Sequence, residues 1–496
     1  MSRRADSSAY TGRQPLSGQF DCLELLAKLQ ERKKHMTNLP SGKVEELRVG
    51  FKGEILLPSD GDYDSARQIW NAMIQKRPAV IARCATTSDV VRAVNFARDN
   101  HLLLAIRGGG HNIAGNAVCD DGLMIDLSKM KAAQVDPVAR RVTIEGGATL
   151  ADLDAATQAH GLATPVGINS TTGIAGLTLG GGFGWLSRKY GLTVDNLESA
   201  EVVTAAGEVV RASATERPDL FWALRGGGGN FGVVTRFEFR LHPVGPDVLS
   251  GLIVYPISEA KSVLQQYREF MARAPEELNV WTVLRKAPPL PFLPERFHGQ
   301  EMIALALIYA GDPKEGQALV EPLRKFGTPL GEHVGVQPYV AWQQTFDPLL
   351  TPGTRNYWKS HNFTTLQDGL FDVVVEYVGK LPSPQCEIFF GAIDGATMRP
   401  AADSMAYAQR DAKFVMNFHG RWEDQADDER CIGWSRDFFK ATAPFSSGGV
   451  YVNFMTAEET DRVRSAYGPN YDRLVQVKGK YDPDNLFRMN QNISPA

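Results

Sequence analysis

The chain has 496 residues, 43% of them apolar and 22% charged, with 47 Gly and 28 Pro, a composition near the globular average and far from disordered, collagen-like or coiled-coil extremes. At about 150 residues per domain this length predicts about three structural units, or fewer large ones. The 53 Lys+Arg against 57 Asp+Glu leave a formal charge of -4, so the basic field that binding a phosphate backbone demands is missing and nucleic acid is excluded as a partner.

Five cysteines, Cys22, Cys84, Cys119, Cys386 and Cys431, are odd in number and scattered. That excludes a disulfide framework, and without a CxxC pair no metal is expected. Met1-Ser2-Arg3-Arg4 is not followed by the apolar stretch of a secretory or twin-arginine signal, and no window reaches the ~18 uninterrupted apolar residues of a membrane span. The expectation is a cytoplasmic protein without a membrane partner.

Residues 1–45 read as an arm in which Leu23, Leu25, Leu26 and Leu29 mark one face of a short helix. From about residue 60 short elements alternate: a strand Val80–Arg83, a helix Ser88–Asn100 and a strand Leu102–Ile106. Further strands are expected at Leu123–Asp126, Arg141–Glu145, Glu201–Ala205, Val209–Ala212 and Gly232–Leu241. A helix is expected after Thr149, whose spacing to Asp152 fits a capping box and which closes at Gly161. Residues 46–245 are therefore expected to form one α+β domain.

The glycine clusters stop near Pro243 and Pro246, and residues 246–440 read as a second domain. Its expected strands are Gly251–Tyr255, Met302–Tyr309, Asp372–Val378 and Glu387–Phe390, with a helix Ile257–Ala274. The Pro-rich run Pro288–Pro294 is expected to be an exposed loop, since it cannot keep helix or central-strand hydrogen bonds. The tail 441–496 offers a strand Val450–Phe454, a helix after Thr456 with a capping Glu459, a helix Tyr471–Lys480 and a turn Asp482–Asn485. It is expected to pack back on a core.

Chemistry concentrates in three glycine clusters: Arg107–Asn112, Gly173–Gly184 and Gly226–Gly232. Each lets backbone N–H groups approach a ligand, which is how proteins cradle phosphates without a large positive charge. Three such loops point to a bulky dinucleotide, because each interior Gly costs up to ~1 kcal/mol relative to Ala. The third cluster contains GxGxxG at Gly227, Gly229 and Gly232, but a helix precedes it and a strand follows. A nicotinamide-type Rossmann site needs the reverse order and is rejected. In the first cluster a strand ends in a cation, three glycines and an imidazole. A neutral histidine there is either a solvated loop residue or a nucleophile for an electrophilic cofactor carbon.

The run Arg107–Asn112, the loop Thr171–Gly184 continuing through Ser187–Asn196, the turn Gly229–Gly232 and the terminal Tyr481–Phe487 with Asn490 and Gln491 resemble the berberine bridge enzyme-like branch of the vanillyl-alcohol oxidase (PCMH-type) flavoproteins. Tyr63, Asp64, Arg67, Trp70, Asn71, Arg77 and Pro78 look like the bacterial hydroxynicotine oxidase-like members. The resemblance covers residues ~60–245 and ~445–496.

It implies an α+β two-domain PCMH-type fold, in which both chain ends clamp FAD against a substrate domain built on a large antiparallel sheet covered by helices. His111 falls where the family bonds covalently to the flavin. Many relatives add a cysteine link, and the matching position here is Asn169, so a single bond through His111 is expected, with Cys119 an ordinary buried thiol. Further FAD contacts are implied for Arg107, Gly108, Gly109, Gly110, Asn112, Gly115, Asn116, Thr171, Thr172, Gly173, Gly176, Gly182, Gly184, Tyr190, Asp195, Val234, Asn453, Asn490 and Gln491. Tyr451 resembles a strand tyrosine that relatives project toward the ring. With a lowered pKa it would take a proton as hydride leaves the substrate; the alternative is a half-buried tyrosine with a satisfied hydroxyl. Alternation would place Asn453 on its face. Tyr377, Glu376 and His419 receive no role.

The implied activity is an oxidase that moves a hydride from a small-molecule alcohol, sugar, amine or secondary-metabolite carbon to flavin and on to dioxygen. Alternatives are a flavin dehydrogenase or oxidative cyclase with another acceptor, or a non-catalytic flavin-binding protein.

Overall fold

The structure, a computed structural model, describes residues 41–496, and the leucine-faced helix expected near Leu23–Leu29 lies outside them. The strands Glu54–Leu56, Val80–Arg83, Leu123–Asp126 and Leu104–Arg107 form one sheet in that order. Its last three strands are parallel. The helix Thr87–Asp99 makes the crossover. Thr86 and Asp89 form a capping box at its start, and Val90, Ala93, Val94 and Ala97 are its buried face.

A second, antiparallel sheet runs Ala133–Asp136, Arg141–Glu145, Val233–Arg240, Leu197–Val203 and Val209–Ser213. The helix Leu150–Gln158 beside it carries the expected capping box of Thr149 and Asp152.

The third sheet has seven strands, in the order Gly331–Pro338, Asp247–Pro256, Glu301–Tyr309, Leu278–Lys286, Glu387–Ala392, Phe414–Trp422 and Arg355–Phe363. Every neighbouring pair is antiparallel. Helices Ala260–Met271, Asp368–Val378 and Asp428–Thr442 cover one face, burying Leu264, Phe371 and Phe438 with Leu305 and Phe418. Because side chains alternate across a strand, register decides what the other face shows. The pairs Arg285↔Glu387, Glu387↔His419 and Trp358↔His419 put these four residues side by side on it.

Two expected strands are corrected. Asp372–Val378 lies inside the helix Asp368–Val378, since Leu370, Phe371, Val374 and Val378 follow a helical spacing and are buried; three consecutive valines mimic strand composition, but the 3–4 spacing decides. Val450–Phe454 is not a strand: Tyr451 is extended and Val452–Phe454 is a single 3₁₀ turn. The helix expected over Ile257–Ala274 is a 3₁₀ turn Ile257–Glu259 running into Ala260–Met271. Pro288–Pro294 is a loop anchored by buried Leu293.

The tail does pack back. Lys478, fully buried, donates to Asp482 at 2.6 Å and to the carbonyls of Asn230 and Phe487. Asn230 also accepts from the Ile493 backbone N–H. Among the described residues no helix is long and apolar enough to cross a membrane.

Candidate active site

Where the strand Leu104–Arg107 ends, the chain turns through Gly108–Gly110 against Thr172–Gly173. A cavity of about 220 Å³ opens there. One wall is Gly108–Asn112 with Asn169, Gly173 and Gly176; the opposite wall is the seven-stranded sheet's Trp281, Phe389, His419 and Trp358. Tyr451, Asn453 and Phe454 of the tail complete it. Loop, sheet and tail, distant in sequence, converge on one space.

His111 is held by a directional chain. Asn169 donates its amide to the Leu350 carbonyl, and its Oδ1 accepts from the Thr171 hydroxyl at 2.6 Å. With its only hydrogen committed, Thr171 Oγ1 acts as acceptor toward His111 Nε2, 2.8 Å away. The proton therefore sits on Nε2, and Nδ1, which has only a 3.5 Å contact with Thr172 Oγ1, keeps its lone pair. Burial pushes the imidazole down to about 3, so it is neutral at physiological pH. Its ring stacks on Trp70 with centroids 5.0 Å apart. Asn71, the next residue, donates to the carbonyls of Ile113 and Asn356, fastening this loop to the seven-stranded sheet.

Tyr451 lies on the glycines of the second cluster. Its oxygen accepts from the Gly182 N–H at 3.0 Å and from Asn453 Nδ2 at 2.9 Å. A Cβ on Gly180 would meet Asn453 at 2.2 Å, which explains the glycine. Tyr451 and Asn453 do share a face, through a turn and not through strand alternation. The lowered phenol pKa is corrected: burial raises it to about 12, against the opposing pull of Asn453 and Gly182. At neutral pH the group is a phenol whose hydrogen remains free to donate.

The sheet wall holds residues that sequence reasoning missed. His419 is buried; its Nδ1 lies 3.0 Å from Glu387 Oε1, and Arg285 donates to Glu387 Oε2 at 2.6 Å. Arg285 and His419 together draw the Glu387 carboxyl down to about 2 against burial, so it is ionised. His419 stacks on Trp358 at 4.0 Å, and its Nε2 has no hydrogen-bond partner among the described residues. Reading the strand Phe414–Trp422 from its alternation would have put His419 on the cavity face.

Several of the expected FAD contacts do not line this cavity. Arg107 faces away: its guanidinium pairs with buried Asp126 at 2.7 Å and donates to the Ala66 and Gln68 carbonyls, so only its backbone borders the loop. Tyr190 stacks on His242, and Asp195 is paired with Arg410 at 2.7 Å. Val234 is a buried strand residue, and its carbonyl packs on Gly146. Gly115 turns beneath Ile74, and the Asn116 N–H donates to Asn112 Oδ1. Gly184 is pressed on the Val166 carbonyl, and Gly182 supports Tyr451. Asn490 donates to the Gly229 carbonyl, and the Gln491 carbonyl accepts from Asn230 and Tyr467. These two tie the tail to the third glycine cluster, which serves as a structural turn. Cys119 is a buried thiol held near the Leu103 and Leu123 carbonyls.

Glycine loop, His111 and aromatic sheet wall share one cavity, and the chain's likeness to known proteins makes it an FAD-linked oxidoreductase. Residues 78–213 match the family described as FAD binding domain, and residues 450–494 match the one described as berberine and berberine like. An FAD-linked oxidoreductase of Dictyostelium discoideum is 32% identical over 457 residues, covering 91% of this chain and 97% of the relative. The (R)-6-hydroxynicotine oxidase of Paenarthrobacter nicotinovorans is 29% identical over 471 residues, 90% of this chain and 98% of that one. The crystal structure of 6-hydroxy-D-nicotine oxidase from Arthrobacter nicotinovorans superposes with a TM-score of 0.81 at 28% identity, covering 90% and 99% of the two chains. The chain belongs to the berberine bridge enzyme-like FAD-linked oxidoreductases, with their two-domain PCMH-type fold. Its residues fit the flavin: Gly109 and Gly173 pack main chain to main chain at the cavity's edge, Gly176 leaves open space where a side chain would stand, and His111 borders the same cavity with Nδ1 unprotonated.

Proposed function

We propose that this protein is an FAD-linked oxidase holding its flavin by a single covalent bond from His111. Residues 46–245 with 441–496 would form the flavin domain, and residues 246–440 the substrate domain. Oxidised flavin accepts a hydride, while the protein supplies orientation and proton handling. The donor is a small-molecule alcohol, sugar, amine or secondary-metabolite carbon, and dioxygen is the acceptor, giving hydrogen peroxide. Tyr451, with two donors on its oxygen, offers its O–H to the substrate's heteroatom.

The observation that carries this reading is the Asn169–Thr171–His111 chain, which leaves one imidazole nitrogen free. The missing cysteine at Asn169 supports one link instead of two. Flavin fluorescence on the denatured protein band is expected for the wild type and not for His111→Ala; retention in the variant would remove His111 from the role. Peroxide release in a screen of sugars, amines and phenolic alcohols tests the acceptor. Flavin reduction without peroxide would point to a dehydrogenase.

A further inference from the structure

We propose that His419, oriented by Glu387 and Arg285, is the group that accepts the substrate's hydroxyl or N–H proton, and that the substrate carries this group on a flat, apolar body. The inference rests on the flavin-oxidase reading above and adds the proton's destination and the substrate's chemical class.

The geometry carries it. Three strands present Arg285, Glu387 and His419 as registered neighbours on the face turned to the cavity. An ionised carboxylate 3.0 Å from Nδ1 fixes the proton there, so Nε2 is left as a lone-pair acceptor. That nitrogen is buried and has no partner among the described residues. A buried acceptor without a donor is destabilising, a penalty that a bound donor would relieve. The wall around it is Trp281, Phe389, Trp358 and Phe454. Trp281 and Phe389 lie parallel within 4°, 5.4 Å apart. Such a surface suits an aromatic or similarly flat molecule and offers little to a polyhydroxylated one.

The arrangement repeats the general logic of a base oriented by a third group. The substrate O–H or N–H bond breaks, its proton passes to Nε2, and the new imidazolium is stabilised by the Glu387 carboxylate. The electron pair left on the heteroatom forms the double bond to carbon as that carbon gives up its hydride, for which bound oxidised flavin would be the acceptor. The charged groups facing His419 are Glu387, Arg285 and Arg421. Burial and both arginines outweigh Glu387 and hold the imidazole below its ordinary range, so it is a free base at neutral pH. Glu387 and Arg285 are positioning residues; His419 is the catalytic one.

The test uses the flavin-loaded enzyme and 4-nitrophenol, a single-ring hydroxyl probe whose phenolate band reports its ionisation. Bound to wild type, the probe is expected to ionise about one pH unit or more below its free value, a tenfold change in ionisation constant. In His419→Gln the shift is expected to vanish, and Glu387→Gln should keep only part of it. If His419→Gln does not fold, His419→Phe, which preserves the stack on Trp358, replaces it. An equal shift in wild type and variant would overturn the proposal, as would a probe bound only as neutral phenol or not bound at all. Covalent flavin on the denatured band, expected to be unchanged in these variants, reads the His111 assignment independently.

Discussion

Gly109 and Gly173 meet backbone to backbone: a Cβ on Gly109 would lie 2.2 Å from the Gly173 nitrogen, and the converse distance is also 2.2 Å. Neither contact can be relieved by rotating a side chain, since both partners are main chain. Gly109→Ala is therefore expected to destabilise by about 3 kcal/mol, the upper end of overpacking penalties, and to reduce flavin content. Gly229→Ala, at a position with nothing within 4 Å of the new Cβ, should stay within about 0.5 kcal/mol of wild type. Thermal unfolding of the two variants side by side checks the contrast.

Thr171→Val removes the oxygen that accepts from His111 Nε2. The imidazole then loses the bond that fixes its tautomer, while its ring still stacks on Trp70. FAD is expected to bind, with the covalently retained fraction falling several-fold. The ratio of flavin kept to flavin released on acid precipitation measures this. A fully linked Thr171→Val protein would mean that the hydrogen-bond chain does not govern attachment.

These contrasts show what was readable from residue order. Local elements such as the strands Leu123–Asp126 and Arg141–Glu145 and the capped helix Leu150–Gln158 follow from composition and capping, because their determinants lie within a few residues. The glycine loop and His111 were legible for the same reason. Arg107 misled, since its partner Asp126 stands on the adjacent strand, and a cation beside glycines looks alike whether it faces a ligand or a carboxylate. His419 was invisible as a site residue because its meaning comes from register: Glu387 and Trp358 become its neighbours only when three strands pair. The Val373–Val375 run shows the converse, a local strand signal overridden by helical burial of Phe371, Val374 and Val378.

Asp154 sits in the helix Leu150–Gln158 with its Oδ2 accepting from Gln343 at 3.1 Å, and its Oδ1 has no partner among the described residues. Burial pushes its carboxyl up to about 7. The native state therefore holds a proton that the unfolded chain, with an ordinary value of about 4, has released. Between about pH 4 and about pH 7 stability must fall as pH rises, and it stays lower above that window. Asp154→Asn should abolish this slope and exceed wild type by on the order of 2–4 kcal/mol at about pH 8, with little difference at about pH 4. Melting temperatures across that range test the sign; a variant that is less stable at the alkaline end would refute it.

The C-terminal segment is fastened to the third glycine cluster through one buried ammonium. Lys478 and Asp482 are both fully buried and 2.6 Å apart, and Lys478 also donates to the Asn230 and Phe487 carbonyls. Asp482 in turn accepts from the Leu486 and Phe487 N–H groups, shaping the turn that leads to Asn490. Lys478→Met leaves a buried carboxylate without its counter-charge and frees two carbonyls, a loss of about 3–5 kcal/mol. Because Tyr451 and Asn453 belong to the same tail, its loosening should also disturb the cavity. Limited proteolysis is expected to cut Lys478→Met after residue 481 at protease concentrations that spare wild type, with a parallel fall in flavin reduction. The double variant Lys478→Met with Asp482→Leu, which removes both charges, should recover part of the stability, since the penalty lies in the unpaired ion more than in the absent bridge.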